Sequence, residues 1–402
     1  MKNRLLIYSD CPIYGGCENI ITNLLNSNSL SKDFEISFVY RFSSIYHQEY
    51  KRINSSIHSV NEIPIKIPIF DSDFYLFNYG LISRNKYKLN IIIKRILDNS
   101  GFSFVYIFIF SFYLILKLKP NIIHINNGGY PASYSARIFA IVSKILNKSV
   151  IMTINNLAQK KISFMDVITD FFMLKSVDLF VTASKYASNM LTLNREFPYS
   201  KLTNIPNAIS NNDFNKKIKE DFNFINFGCV GLLTSRKGFI NAIKAVKVLS
   251  NKYSNFQLFI YGEGEEKENL TSIIEEYNLS NYVILKGFSN DKNEIYSKID
   301  VLICPSISNE DMPYVIIEAA SYKIPCVGSN IAGIPEVIGT NGGMVYDANN
   351  IIQLSSYMEH YIVNNNLIEV DGNNAYSNFL ENYTSENVVS KYIYIYKSLL
   401  KN

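Results

Sequence analysis

Short apolar runs rich in β-branched and aromatic residues recur along the chain, separated by stretches whose apolar positions follow helical spacing. In the first half, RLLIYS (4–9), EISFVY (35–40), NIIHI (121–125), SVIMTI (149–154) and VDLFVTAS (177–184) predict strands, with helices such as 133–146 between them. In the second half the strand candidates are INFGCVG (225–231), QLFIYG (257–262), YVILKG (282–287), DVLICPS (300–306) and IPCVGS (324–329). These runs are continuously apolar instead of alternating, so they predict parallel strands covered on both faces. Each half is therefore expected to be a doubly wound α/β domain.

Polar, Asn-rich sequence at 203–223 marks the boundary, giving domains 1–205 and 206–383. In 384–402, Val388, Val389, Tyr392, Ile393, Tyr396 and Leu399 lie at helical spacing and predict a terminal helix that packs back on the first domain. The amino terminus reads as a first β-strand running into a glycine turn, without the longer apolar core of a secretion signal. The most apolar stretch, FSFVYIFIFSFYLIL (102–116), is too short to span a bilayer. It predicts a buried helix or one dipping into a membrane, and the five basic residues of RNKYKLNIIIKR (84–95) just before it suit an anionic headgroup layer.

Composition refines this picture in two places. With 402 residues, 48% hydrophobic and 18% charged, the chain has material for packed cores and no sign of disorder. The net charge of +4 hides a split: residues 1–205 hold 23 Lys and Arg against 13 Asp and Glu, while 206–402 hold 16 against 22. A basic first half suggests an anionic partner such as a membrane surface. Cys11, Cys17, Cys229, Cys304 and Cys326 fit no zinc or disulfide spacing, which points to a reducing, cytoplasmic compartment.

Candidate chemistry centres on NEDMPYVIIE (309–318), where Glu310 and Glu318 bracket an apolar run. The surrounding order is strand, loop, helix, with Pro313 expected at the first helical position. The first amides, Tyr314 and Val315, would then face the carboxyl edge of the sheet and favour a phosphate, with Met312 and Pro313 lining the approach. Two carboxylates beside such a site repel phosphate and instead accept from hydroxyls. An anionic centre with hydroxylated groups on both sides describes a sugar nucleotide.

EDMPYVIIEAASYKIPCVGSNIAGIPEVI resembles the signature of the family 4 GT-B glycosyltransferases, a Glu, seven residues, Glu motif followed by an apolar strand and a Gly-Ile-Pro-Glu turn. The resemblance implies that Glu310 contacts the donor sugar and Glu318 the ribose hydroxyls. GCVGLLTSRKGFINAIKAV resembles the segment whose two cations hold the diphosphate: Lys237 and Gly238 match, while Leu232 stands where the family has arginine, leaving Arg236 as the second cation. SDCPIYGGCENIITNLL resembles the first-strand loop, where Gly15 and Gly16 let the backbone approach the ligand. The family usually shows a histidine two residues after the threonine of VIMTINN, where this chain has Asn155, an amide that can donate to a hydroxyl or carbonyl but cannot titrate and is therefore expected to position substrate instead of moving a proton. His124 reads as a buried histidine, the Gly-x-Gly of YGEGEEKENL as an ordinary strand-to-helix turn, and DSD (71–73) as solvated. The loop GFSND (287–291), with Phe288, is where donor-selecting contacts are expected.

By this resemblance the chain is two Rossmann-like domains facing a cleft, and a retaining glycosyltransferase that moves a sugar from a UDP- or GDP-sugar to a glycan or lipid-linked acceptor for a cell-surface polysaccharide. No metal or cofactor and no nucleic acid is expected, and the location is the cytoplasm, peripherally on the inner face of the membrane. Two other readings stay open: a sugar-nucleotide 2-epimerase, and a non-catalytic subunit that binds a partner enzyme or glycan.

Overall fold

The computed structural model describes residues 2–11, 13–54, 60–65, 82–99, 101–131, 133–210, 223–308 and 310–401; the DSD stretch and positions 211–222 of the expected boundary lie outside these. The chain forms two compact units, one made of Met1–Ile205 with Val388–Asn402, the other of Pro206–Asn387.

The first unit contains β1 (Asn3–Ser9), β2 (Phe34–Arg41), β3 (Val60–Ile65), β4 (Ile122–Asn127), β5 (Ser149–Ile154), β6 (Leu179–Thr182) and β7 (Leu202–Asn204). They form one sheet in the order β3-β2-β1-β4-β5-β6-β7, parallel throughout. The second unit holds β8 (Ile225–Val230), β9 (Phe256–Tyr261), β10 (Val283–Gly287), β11 (Val301–Cys304), β12 (Cys326–Ser329) and β13 (Gly343–Tyr346), ordered β10-β9-β8-β11-β12-β13 and again parallel. These are the two Rossmann-like domains expected from the apolar runs. The strands missing from the sequence reading, β3, β7 and β13, are all edge strands, where one neighbour is absent and the apolar signal weakens.

Both sheets reverse their winding once, between β1 and β4 in the first and between β8 and β11 in the second. Open α/β sheets bind ligands outside the carboxyl ends of the strands at such switch points, because the loops there diverge to opposite faces. The loops after β1 and β4, and after β8 and β11, are therefore the positions to inspect.

The helix Ser385–Leu399 buries Val388, Val389, Tyr392 and Tyr396. Tyr396 OH meets His124 Nδ1 at 2.7 Å, and the Tyr392 ring stacks on the His124 imidazole at 5.3 Å between centroids. For Phe102–Leu118 the sequence predicts a buried or a membrane-dipping helix. It buries one stripe, Ile107, Ser111, Leu114 and Ile115, and exposes the opposite one, Phe102, Val105, Ile109, Phe112, Tyr113 and Leu116. Being apolar all round, the sequence could not reveal that one side lacks a cover. No helix among the described residues is long and apolar enough to cross a membrane.

Candidate active site

At the second switch point, β8 ends in the loop Gly231–Gly238, and β11 leads through residues 305–313 into the helix Tyr314–Ser321. Gly238 closes the first loop at φ +64, where a Cβ would stand 2.1 Å from the Pro305 carbonyl oxygen, so the two loops approach closely only because this residue is glycine. Ile307 N–H donates to Arg236 O at 2.9 Å and clamps them together.

That clamp brings three of the expected residues to one point. Lys237 Nζ lies 2.6 Å and Arg236 Nη1 3.1 Å from Glu310 Oε2, and Ser306 Oγ donates to the same oxygen at 3.3 Å. The Lys237 and Glu310 side chains are each 12% exposed, which makes this a charge-assisted contact in a partly dry setting. All of these contacts fall on Oε2; among the described residues Glu310 Oε1 receives none. Leu232, at the departed arginine position, is exposed, and Arg236 is the cation that reaches the acid.

The helix itself starts one residue later than expected. Pro313 is its N-cap, with φ −71 and ψ 124, and Tyr314 is the first helical residue. Proline's fixed φ suits either position, and the extended ψ here decides for the cap. Met312 and Pro313 are buried; the Met312 carbonyl accepts from Asn207 Nδ2 at 2.8 Å. Tyr314 and Val315 begin the helix, whose N-terminal dipole faces the β11 loop. Glu318, a turn further on, accepts from Tyr296 OH at 2.7 Å and pairs with Lys292 Nζ at 2.6 Å. Phe288 stands apart, exposed after edge strand β10.

The first switch point gathers a second set. Gly15 and Gly16 are exposed, and a Cβ built on either meets no atom within 4 Å. Gly15 is extended at φ −141, so the fold does not itself demand glycine there. Beneath them Glu18 is fully buried and accepts from Ser9 Oγ and from Tyr46 OH, both at 2.8 Å, with Asn126 Nδ2 at 3.4 Å. Burial pushes its carboxyl up from 4.5 to about 7, against the pull of those hydrogen bonds. Asn155 Nδ2 donates to Asn126 Oδ1 at 2.8 Å and to Asn127 O at 2.9 Å. Both of its N–H groups are thus turned inward, which leaves the acceptor Oδ1 as the amide atom available to a substrate. His124 is fully buried between Tyr396 and Thr153, and burial lowers its imidazole to about 3.

Sequence reading missed Glu18, Asn126, Ser306 and Asn207. Glu18 alone had a signal: it caps the helix Asn19–Leu25 in register with the buried Ile21 and Leu25, where a carboxylate is out of place. Among the described residues no group of His, Cys, Asp and Glu could hold a metal ion.

Residues 209–378 match the family model described as glycosyl transferases group 1. The Arg236, Lys237 and Glu310 cluster lies inside the matched region. The putative colanic acid biosynthesis glycosyltransferase WcaL of Salmonella typhimurium is 32% identical over 125 residues, 29% of this chain and 31% of that protein. The chain spans less than half the length of the curated relatives it matches. The fold is shared over the whole chain: a glycosyltransferase from Rickettsia africae superposes with a TM-score of 0.76 at 18% identity, covering 100% of this chain and 99% of that one. Anabaena HepE in complex with UDP gives 0.71 at 14%, covering 99% and 100%.

Proposed function

We propose that this protein is a retaining, family 4 glycosyltransferase that moves a sugar from a nucleotide sugar to a glycan or lipid-linked glycan acceptor in cell-surface polysaccharide synthesis. The observation that carries the reading is the convergence of Lys237 and Arg236 on Glu310 at the second switch point, beside a helix start. Two cations and a helix dipole form the positive field that a departing diphosphate requires, without assistance from a metal. Glu310 Oε1 then accepts from a hydroxyl of the donor sugar, and Glu318 from the ribose. A departing phosphate oxygen on the same face as the leaving bond takes the acceptor proton as the new bond forms, which retains configuration. The nucleotide bound by HepE supports a uridine donor, and the polysaccharide role named for WcaL supports the product class.

Attachment to an anionic membrane surface belongs to the same proposal. The helix Phe102–Leu118, with its exposed stripe, is in contact with the helix Arg84–Asn99, which exposes Leu89, Ile92 and Ile96 together with Arg84, Lys86, Lys88 and Arg95. No Asp or Glu occurs between Asp98 and Asp166 in the sequence. Apolar side chains flanked by cations suit a headgroup layer. Flotation with vesicles containing anionic phospholipid is expected to carry the protein at low salt, and absence of binding there would sink this part.

For the reaction, thermal shift against UDP, GDP and their sugars comes first. A ligand at a hundred times its Kd adds about 2.7 kcal/mol to stability. Transfer from the stabilising nucleotide sugar, with the anomeric configuration of the product read by NMR, then tests retention. Lack of stabilisation by any nucleotide, or an inverted product, overturns the reading.

A further inference from the structure

We infer that Glu18 is a positioning residue of the first switch point: through Asn126 it holds Asn155 with Nδ2 turned inward and Oδ1 presented as an acceptor for a sugar hydroxyl. The inference rests on the proposed glycosyl transfer for the identity of the hydroxyl, and on hydrogen-bond logic for the rest. Asn127 O is a backbone carbonyl and can only accept, so the Asn155 group 2.9 Å from it must be the NH2. The second proton of that NH2 goes to Asn126 Oδ1 at 2.8 Å. Asn126 is oriented by the same reasoning, because its Nδ2 meets the Cys17 carbonyl at 3.1 Å and Glu18 Oε1 at 3.4 Å. One backbone carbonyl sets the direction of each amide, and Glu18 Oε1 takes the other Asn126 proton and holds that amide in place, so the line ends on a buried carboxyl anchored by Ser9 and Tyr46. An isolated structural glutamate has no need of two asparagines aimed at a half-buried position on the carboxyl edge of the sheet.

Glu18 also connects the site to pH. Ser9 Oγ, Tyr46 OH and Asn126 Nδ2 all donate to it, so protonation breaks one contact; the hydroxyls of Ser9 and Tyr46 can rotate to accept, whereas the Asn126 amide, held by Cys17 O, cannot, and its contact with Oε1 weakens. The other titratable groups facing Glu18 are Asp10, Cys11, Tyr14 and Cys17 from the loop after β1 and Tyr46 from the helix Ser44–Ile53. Burial raises Cys11, Cys17, Tyr14 and Tyr46, which keeps them neutral near pH 7. Asp10 is held separately by the hydroxyls of Ser133 and Ser135.

The test uses the full chain labelled with 15N-asparagine. The side-chain NH2 resonances of Asn126 and Asn155, assigned by Asn126→Ser and Asn155→Ala, are expected to move together with pH around a midpoint near 7. Glu18→Gln is expected to abolish the movement. Tyr46→Phe, which keeps the carboxyl but removes one donor to it, is expected to raise the midpoint and serves if Glu18→Gln does not fold. An Asn155 resonance indifferent to both changes overturns the inference, whether or not the protein transfers sugar. In transfer assays Glu18→Gln is expected to lower kcat on the order of tenfold, with no further loss when combined with Asn155→Ala; additive losses also overturn it. Failure of the glycosyl transfer proposal shows itself differently, as absence of transfer by the wild type, while the NMR result stands.

Discussion

Lys237 and Glu310 are 73 residues apart in sequence and meet at 2.6 Å, with Arg236 sharing the same carboxylate oxygen. The acid therefore competes with any diphosphate for the two cations, while serving, in the proposed reaction, the sugar. Glu310→Gln is expected to separate these roles. Transfer should fall on the order of a hundredfold, whereas the stabilising nucleoside diphosphate should bind as tightly as before or several-fold tighter by calorimetry, since a competing charge is gone. Equal weakening of nucleotide binding and transfer would remove Glu310 from the reacting end.

Gly15 and Gly16 offer a cleaner contrast between fold and function. A Cβ at either position enters open space, and neither has the positive φ that only glycine tolerates easily. Gly15→Ala and Gly16→Ala are expected to leave urea stability within about 0.5 kcal/mol of wild type, as for other surface substitutions. If a ligand passes close over this turn, both should lower transfer and raise the KM of one substrate. Unchanged kinetics in both variants would mean that nothing approaches here.

Two buried groups give stability opposite dependences on pH. Glu18 is raised from 4.5 to about 7, so the fold favours its protonated form, and the stability it contributes is lost as pH rises through that window. His124 is lowered from 6.5 to about 3, so the fold favours its neutral form, and stability is lost as pH falls below 6.5. The Glu18 shift corresponds to about 3 kcal/mol between the two ends of its window. Glu18→Gln, neutral at every pH, should therefore gain stability over wild type on going from pH 5 to pH 8 by an amount of this order, read from urea unfolding at each pH. Parallel curves for the two proteins would place Glu18 in a better solvated setting than its burial implies.

Sequence reading recovered the elements whose physics is local and lost those settled by neighbours. Central strands such as β4 and β8 are apolar on both faces and announce themselves; β3, β7 and β13 are edges and do not. Glu310, Lys237 and Arg236 were legible because motif spacing places them after adjacent strands, yet their mutual contact depends on how closely Gly238 lets the loops approach. The orientation of the Asn155 amide was not legible, since it is decided by the carbonyl of Asn127 across the strand pair. The exposed side of Phe102–Leu118 is as apolar as its buried side, so hydropathy alone does not distinguish them.

Tyr396 ties the carboxyl-terminal helix to the first sheet, and its hydroxyl and ring contribute separately. The ring is fully buried and lies edge-on to Phe34, with centroids 5.7 Å apart. The hydroxyl meets His124 Nδ1 at 2.7 Å, while Nε2 is taken up by Thr153 Oγ1 at 2.7 Å. Tyr396→Phe keeps the ring and leaves a buried imidazole nitrogen unpaired, for an expected loss of about 1–3 kcal/mol in urea unfolding. Deleting residues 388–402 removes Val388, Val389, Tyr392 and Tyr396 together, all buried. At roughly 1.5–3 kcal/mol per buried side chain this approaches the whole stability of a typical domain. The deletion is thus expected to prevent folding of the first unit, while Tyr396→Phe folds and binds nucleotide at the second unit as wild type does. A Tyr396→Phe protein as stable as wild type would show that the hydroxyl contact contributes nothing, and a deletion that still unfolds cooperatively near the wild-type midpoint would show that the helix is dispensable to the first unit.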